Sequence, residues 1–462
     1  MIIFATLIKN LMNRLSKITY LVALIFYFTS AVNAQTINSS GSNLAGQESD
    51  FSNLDLNTIT TAVPFLLIAP DARGGAMGDI GVATSPDANS IHWNPAKLAF
   101  SEKDMGVSMA YTPWLRNLVG DISLSYLSFF KKIDDKQAFA TSLRYFSLGD
   151  INFTDEFGQQ TRQFNPNEFA LDGAYSIKLA ENFSGGVAFR YIYSNLTGGV
   201  NVSGADTKPG QSLAFDLSGY YQNDKMKLGE KNLTLAHGIN ISNVGAKMSY
   251  SNTSKRDFIP VNLRLGTRAT MEIDKYNTFS LSFDLNKLLV PTPAVYQRDS
   301  NNLPVLGADQ SYLIGAGSDP DRGLANGIFG SFSDAPGIIL RDEDNDPVSN
   351  ADGTYQVESG SVFKEELREV NFGIGAEYWY DNQFAVRAGF FNEHATKGNR
   401  KYFTLGAGLR YNVIGIDLTY LIPAYFNSNG QVQQTSPLQN TLRFTLTFDF
   451  DAFNAQNVDA GS

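Results

Sequence analysis

From Met105 onward the sequence alternates with a period of two, and this alternation constrains the chain more than any other feature. Met105, Val107, Met109 and Tyr111 are interleaved with Gly106, Ser108 and Ala110. Phe169, Leu171, Gly173, Tyr175, Ile177 and Leu179 are set against Ala170, Asp172, Ala174, Ser176 and Lys178. Successive side chains of a strand point to opposite faces, so one face is apolar or aromatic and the other carries Ser, Asp, Asn, Arg and Gly. Lipid outside and a polar interior select this pattern. Fourteen segments carry it, at about 105–111, 120–130, 137–148, 168–179, 183–195, 212–221, 233–243, 261–273, 278–289, 369–379, 383–391, 400–411, 413–421 and 440–450.

The connections alternate in length. On one side they are Lys131 to Lys136, Ala180 to Asn182, Asp274 to Asn277, Tyr380 to Asn382 and Asn412, with Gln222 to Asn232 the one longer exception. On the other side roughly twenty residues follow the third segment, seventeen the fifth and eighty the ninth. This asymmetry predicts an all-β fold: a 14-stranded antiparallel outer-membrane β-barrel over 105–450, with turns in the periplasm and a long extracellular loop at 290–368. An even strand count returns both termini to the periplasm. Phe129 and Phe130, Tyr220 and Tyr221, and Tyr378 to Tyr380 crowd the segment ends, where an apolar body with a polar tip suits a lipid–water boundary. Phe448 and Phe450 finish the last segment, and 451–462 follow as a tail.

Fourteen strands enclose more space than inward side chains fill, so such a barrel leaks unless it is plugged. Residues 66–98, LLIAPDARGGAMGDIGVATSPDANSIHWNPAKL, stand directly before the first strand and have neither helical nor strand periodicity. Gly74, Gly75, Gly78 and Gly81 permit close backbone approach, and Pro70, Pro86 and Pro95 prevent one long helix. Leu66 to Ile68 and Trp93 call for burial. Residues 64–104 are therefore expected to fold into the lumen as a plug, or hatch. Asp71, Arg73 and Asp79 are charges among small residues, which implies burial with partners. An ion pair of Arg73 with Asp71 or Asp79, and separate hydrogen bonds to carbonyls, both remain open.

Composition closes off other classes. The chain has no Cys, which removes disulfides, thiolate zinc sites and Cys nucleophiles together. A formal net charge of −10 argues against a nucleic-acid partner. After residue 30 no run of eighteen apolar residues occurs, so no helical membrane span is expected in the mature protein. Residues 1–34 read as a signal peptide: Lys9, Arg14 and Lys17 precede ITYLVALIFYF, and Val32-Asn33-Ala34 place cleavage before Gln35. Residues 35–63, rich in Asn, Ser, Thr and Gly, read as a flexible lead-in.

The plug ending in Asn94-Pro95-Ala96 before fourteen strands resembles the FadL family of outer-membrane transporters. PDARGGAMGDIGVATSPDANSIHWNPAKL (70–98), FIPVNLRLG (258–266), FSLSFDLNKLLVPTP (279–293) and NFGIGAEYWY (371–380) resemble more closely its PorV branch, from the type IX secretion system. The resemblance implies a non-enzymatic shuttle. Such a protein takes substrates from a SprA-type translocon, recognises their C-terminal domains and passes them to a PorU-type sortase, surrounded by outer-membrane lipid and lipopolysaccharide. The alternative on the same fold is a FadL-like transporter of small hydrophobic compounds.

No catalytic, cofactor or metal site is expected. His92, His237 and His394 lie far apart in the chain, and no His and Ser share a strand face near His237. There is no G-x-S-x-G elbow. RDEDNDPVSNADG (341–353) puts Asp342, Asp344 and Asp346 at calcium-loop positions, but Pro347 stands where Gly is needed and Gly353 where a bidentate Glu is needed. The long loop differs from the others: Leu324, Ile328, Phe329, Phe332, Ile338, Ile339 and Leu340 are apolar, and Leu324, Ile328 and Phe332 recur every four residues, as on a short helix. Packing onto the barrel mouth and docking of a partner are both open for this stretch.

Overall fold

The structure, a computed structural model, describes residues 57–450 apart from 117–118, 155–156, 158, 200, 203–204, 253–255, 300, 302, 344–345, 427–431 and 434–437. The expected signal peptide, most of the lead-in and the 451–462 tail lie outside the described residues. Among the described residues no helix is long and apolar enough to cross a membrane; strands make the wall instead.

Fourteen antiparallel strands close into one barrel. They are β1 (Met105–Pro113), β2 (Ser123–Lys132), β3 (Gln137–Ser147), β4 (Asn167–Ala180), β5 (Phe183–Asn195), β6 (Gly210–Leu228) and β7 (Lys231–Gly245). They continue as β8 (Asn262–Glu272), β9 (Asn277–Leu288), β10 (Asn371–Tyr380), β11 (Phe384–Asn392), β12 (Lys401–Tyr411), β13 (Ile414–Pro423) and β14 (Leu442–Phe450). Each pairs with its neighbours in sequence, and β1 closes on β14 with Met105 opposite Phe450. Closure removes every unpaired strand edge, which the hydrocarbon core of a membrane demands.

Burial follows the pleat. In β3 Ser142 and Arg144 are buried in the lumen while Phe139, Leu143 and Tyr145 are exposed on the outer face. Short turns at 133–136, 181–182, 229–230, 273–276, 381–383 and 412–413 lie at one end of the barrel. Several use residues that tolerate the left-handed region, among them Gly229, Asp381, Asn382 and Asn412.

Two expectations need correction. The connection Gln222 to Asn232 is not a longer loop. β6 and β7 run on as a ladder past a bulge between Asn223 and Met226, leaving a turn of Gly229 and Glu230, because their polar residues leave both faces free to meet water. The aromatic pairs do not both face lipid either. Phe130 and Tyr220 are each 1% exposed and point inward, because neighbouring strand residues must take opposite faces. Tyr220 packs edge-on to Phe100 of the plug, 5.5 Å between centroids.

The described end of the lead-in is tied to the barrel mouth. Asn57 N donates to Thr396 O (3.1 Å) and Ala62 N to Phe258 O (2.9 Å), and Val63 is buried.

Candidate functional site: the plugged lumen and the outer loop

Residues 64–104 cross the lumen and touch the wall around its circumference. Ala72 N donates to Thr445 of β14, Gly78 N to Thr404 of β12 and Asn94 Nδ2 to Gly219 O of β6. Ser184 of β5 donates to Ala96 O, and Arg144 of β3 to Leu66 O. The segment folds as short turns punctuated by its prolines, including helices α1 (Ala72–Gly75) and α2 (Ser90–Trp93). Asp71 caps α1, accepting from Gly74 N (2.7 Å), and its other oxygen accepts from Trp93 Nε1 (2.7 Å). The indole lies on bare backbone: a Cβ at Gly81 would sit 2.2 Å from its ring, and one at Gly74 2.6 Å. Gly75 leaves room for the Arg443 guanidinium. Gly78 has φ +81°, and a Cβ there would meet Phe390 O at 2.6 Å. Asn94 bridges Val82 O and Gly219 O while accepting from Ala96 N, and Pro95 opens the turn Pro95–Phe100.

The wall answers with its own glycines. A Cβ on Gly389 would lie 2.1 Å from Met77 C, one on Gly375 2.4 Å from Met77 O, and one on Gly238 2.3 Å from Val82 O. The plug backbone thus lies directly against strand backbone, with no space for a side chain between them.

Arg73 pairs with neither Asp71 nor Asp79. It makes two bonds to Glu377 of β10 (3.0 and 2.9 Å) and one to Asp87 (2.9 Å), and also donates to Ser85 O (3.2 Å). Asp79 instead pairs with Arg443 of β14 and accepts from Tyr402 OH (2.5 Å). Glu377 is a hub: Arg387 reaches it at 2.7 Å and Arg268 at 3.5 Å, and Arg387 also pairs with Asp417 at 2.7 Å. Asp284 accepts from Gly81 N (2.8 Å) and Val82 N (3.0 Å). Buried charge is tolerated only when paired and hydrogen-bonded, so these contacts fix the plug's position as well as hold it. The inward Arg, Asp and Glu of the strands were visible in the alternation. Their pairing with the plug, across two to four hundred residues, had no sequence signal.

Above the plug lies a cavity of about 370 Å³ lined by charged groups, among them Asp79, Arg264, Glu393 and Arg400, and by apolar ones, among them Ile59, Leu67, Leu288 and Phe391. In the long loop, helix α3 (Leu324–Gly330) carries the first two positions of the four-residue spacing and ends before Phe332, and Leu324 and Ile328 pack on Phe258, Val261, Leu289 and Val290 at the barrel mouth. Ile339 is buried with Ala316 and Tyr355, and Ile338 is half-buried. Phe329, Phe332 and Leu340 remain exposed, at 78, 49 and 41%. Helix α4 (Ser361–Arg368), with Glu369 just beyond it, locks the loop down. Lys287 pairs with Glu366 (2.9 Å) and Glu369 (2.7 Å), and Lys397 with Glu365 (2.7 Å) and Glu369 (3.1 Å). The outer side of α4 carries Phe363 and Leu367, exposed at 68 and 57%. With Phe332 and Val370 they line an apolar groove of about 250 Å³ running down onto Leu265 and Leu285 of the barrel's outer face. Phe363 and Leu367 were overlooked in the sequence, although their four-residue spacing in SVFKEELR is the amphipathic signal.

The histidines are dispersed. His92 Nδ1 faces Arg144 Nη2 at 2.5 Å in the lumen. His237 is exposed on the outer face, stacked on Tyr221. His394 caps the turn Ala395–Lys397, accepting from Thr396 N. Burial, with Arg368, Lys401 and Lys397 nearby, lowers its pKa. Among the described residues no group of three metal-ligating side chains converges; Asp344 of the acidic loop lies outside them.

An apolar girdle, a closed fourteen-stranded wall and a filled lumen define an outer-membrane β-barrel protein. Solved structures similar to it include the Ralstonia pickettii toluene transporter TbuX, at 10% identity over 84% of this chain and 99% of that one, with TM-score 0.42. A Pseudomonas aeruginosa FadL homologue is 11% identical over 86% and 99%, TM-score 0.39, and the Pseudomonas putida toluene transporter TodX 13% over 83% and 99%, TM-score 0.40. None of the curated proteins matches the chain. The family model of the type IX secretion system protein PorV matches residues 51–295, and the chain belongs to the PorV family. It is thus an outer-membrane component of the type IX secretion system.

Proposed function

We propose that this barrel is the shuttle subunit of its secretion system: it binds the C-terminal domain of secreted proteins at the SprA-type translocon and delivers them to the PorU-type sortase, with both termini periplasmic and the long loop outside. The observation that carries this reading is the apolar groove of Phe332, Phe363 and Leu367, held exposed on a loop that four lysine–glutamate contacts fasten to the barrel. Apolar side chains on a rigid, ordered loop suit a partner interface. A transporter of small hydrophobic compounds calls for an apolar path, whereas the lumen here is packed with plug and ion pairs. The proposed route therefore runs over the outer surface, with the plug in place.

The test replaces Phe329 and Phe332 by Ser. Each loses apolar burial of about 1.5–3 kcal/mol if covered by a partner, which weakens docking roughly ten- to a hundredfold per residue. Capture of purified C-terminal domains should fall, while heat-modifiable migration of the barrel stays normal. Unchanged capture would remove this face of the loop from the mechanism.

A further inference from the structure

The long loop contains a duplication. Arg298, Asp299, Asn302, Pro304, Val305, Ala308, Asp309 and Tyr312 recur forty-three residues later as Arg341, Asp342, Asn345, Pro347, Val348, Ala351, Asp352 and Tyr355, and Gly317-Ser318 as Gly360-Ser361. The backbone repeats with the sequence. Bridges Arg298–Pro304 and Leu306–Tyr312 in the first unit match Arg341–Pro347 and Ser349–Tyr355 in the second. In each unit three strand midpoints bond in a closed cycle. Val305 N donates to Gln297 O (2.9 Å), Leu313 N to Val305 O (2.9 Å) and Gln297 N to Leu313 O (2.8 Å). Val348, Gln356 and Leu340 repeat the cycle at 2.9, 2.8 and 2.8 Å. Asp309 and Asp352 each accept from the hydroxyl two residues on, Ser311 and Thr354. Tyr355 joins the units: its N donates to Gly315 O (2.7 Å) and its OH accepts from Arg298 N (3.0 Å).

Two copies of one small fold allow a comparison that a single loop does not. Leu303, Leu306 and Leu313 of the first unit, exposed at 60, 57 and 37%, stand where the second has Asp346, Ser349 and Gln356. The module therefore forms without leucine at these positions, and the leucines are not there to build it. Tyr312 is 52% exposed while its counterpart Tyr355 is 8% exposed. Beside this apolar unit the second is acidic: Glu343, Asp346 and Asp352 are exposed, and the two units together hold two Arg against eight Asp and Glu.

We infer that residues 295–318 and 338–361 are a duplicated β module whose first copy docks a protein segment of interleaved apolar and basic side chains, while the second supplies acidic complementarity. The inference rests on the reading of this loop as the docking face. Apolar contacts give the affinity, and the acidic neighbour gives the preference for a basic partner and a dependence on salt.

The test uses the full-length barrel in detergent micelles and three fluorescent peptides of roughly twelve residues, alternating Leu/Lys, Leu/Glu and Ser/Lys, read by anisotropy. The Leu/Lys peptide should bind at least tenfold more tightly than the others, and more weakly at high salt. Leu303→Asp, Leu306→Ser and Leu313→Gln together install the sister unit's own residues and should cost that peptide at least tenfold in the same micelles. Glu343→Gln, Asp346→Asn and Asp352→Asn together should instead erase the preference for Leu/Lys over Leu/Glu; this second variant decides the matter if the first loses its heat-modifiable migration. Equal binding of the peptide to the leucine variant and wild type, or of the Leu/Glu and Leu/Lys peptides to wild type, overturns the inference. Self-association of the barrel, or binding of anionic lipid vesicles, that is lost in the leucine variant overturns it too, by naming another occupant. If the leucine variant keeps the peptide while Phe329→Ser with Phe332→Ser abolishes capture of C-terminal domains, the shuttle reading stands and this one falls.

Discussion

Replacing Glu377 by Gln should unseat the plug without dissolving the barrel. The carboxylate is 1% exposed and takes two bonds from Arg73 of the plug, at 3.0 and 2.9 Å, besides those from Arg387 and Arg268 of the wall. Glutamine keeps the shape but removes the charge, and its amide sets N–H donors against guanidinium donors. Breaking a buried pair by removing one partner costs about 3–5 kcal/mol. Arg73 keeps Asp87 and Arg387 keeps Asp417, so the lower end, about 3 kcal/mol, applies to plug seating. At 1.4 kcal/mol per decade this raises the plug-displaced population roughly a hundredfold. Single-channel recording in planar bilayers reads that population directly: the intact protein should be closed, deletion of 64–104 should give a large stable pore, and Glu377→Gln should give openings roughly a hundred times more frequent than wild type. Asp417→Asn is the control, because among the described residues Asp417 pairs only with Arg387 and Arg410 of the wall. Wild-type opening in Glu377→Gln would refute the reasoning. Equal opening in Asp417→Asn would refute it as well, by showing a generally loosened wall.

Gly389→Ala puts a methyl against Met77 backbone, whereas Gly173→Ala adds one to open space on the outer face. The first should leave a folded barrel with a protease-sensitive plug, and the second should match wild type. His394 gives a pH dependence: its folded pKa lies below 6.5, so its stabilisation is present above that value and lost as pH falls through the lowered one. Amide exchange over 393–400 should therefore speed up, beyond its intrinsic pH trend, on going from about pH 7.5 to about pH 5, and His394→Asn, a non-titrating cap, should flatten the response.

The barrel was legible because its signal is local and repeated. Lipid on one face and a polar lumen on the other impose a two-residue period on every strand, and turn chemistry marks each reversal, as at Asn412 and Gly229. The segments read at 183–195 and 137–148 meet the strands Phe183–Asn195 and Gln137–Ser147 almost residue for residue. Errors came where the local signal was ambiguous. Phe129-Phe130 and Tyr220-Tyr221 are pairs of rings whose chemistry is alike, so only the register decides which ring meets lipid and which the plug.

Composition also marked the plug's glycines as special, yet not what each one touches. Gly81 faces an indole twelve residues on, while Gly389 faces a backbone more than three hundred residues earlier. Arg73 shows the same division. Its burial with partners followed from a charge among small residues, but Asp71 and Asp79 were nearer in sequence than Glu377. The choice went to Glu377 because Asp71 was committed to the α1 cap and the Trp93 indole, and Asp79 to Arg443 and Tyr402. The exposed faces of the long loop divide likewise. Leu324 and Phe329 are equally apolar in sequence, and only the position of α3 on the barrel mouth half-buries the first and leaves the second in water. By itself, then, the sequence determined which faces are apolar, where the strands reverse and which segment is small enough to thread a lumen, because these are properties of neighbours along the chain. Tertiary structure decided partners, because electrostatic and steric choices are made among groups that closure of the barrel brings together.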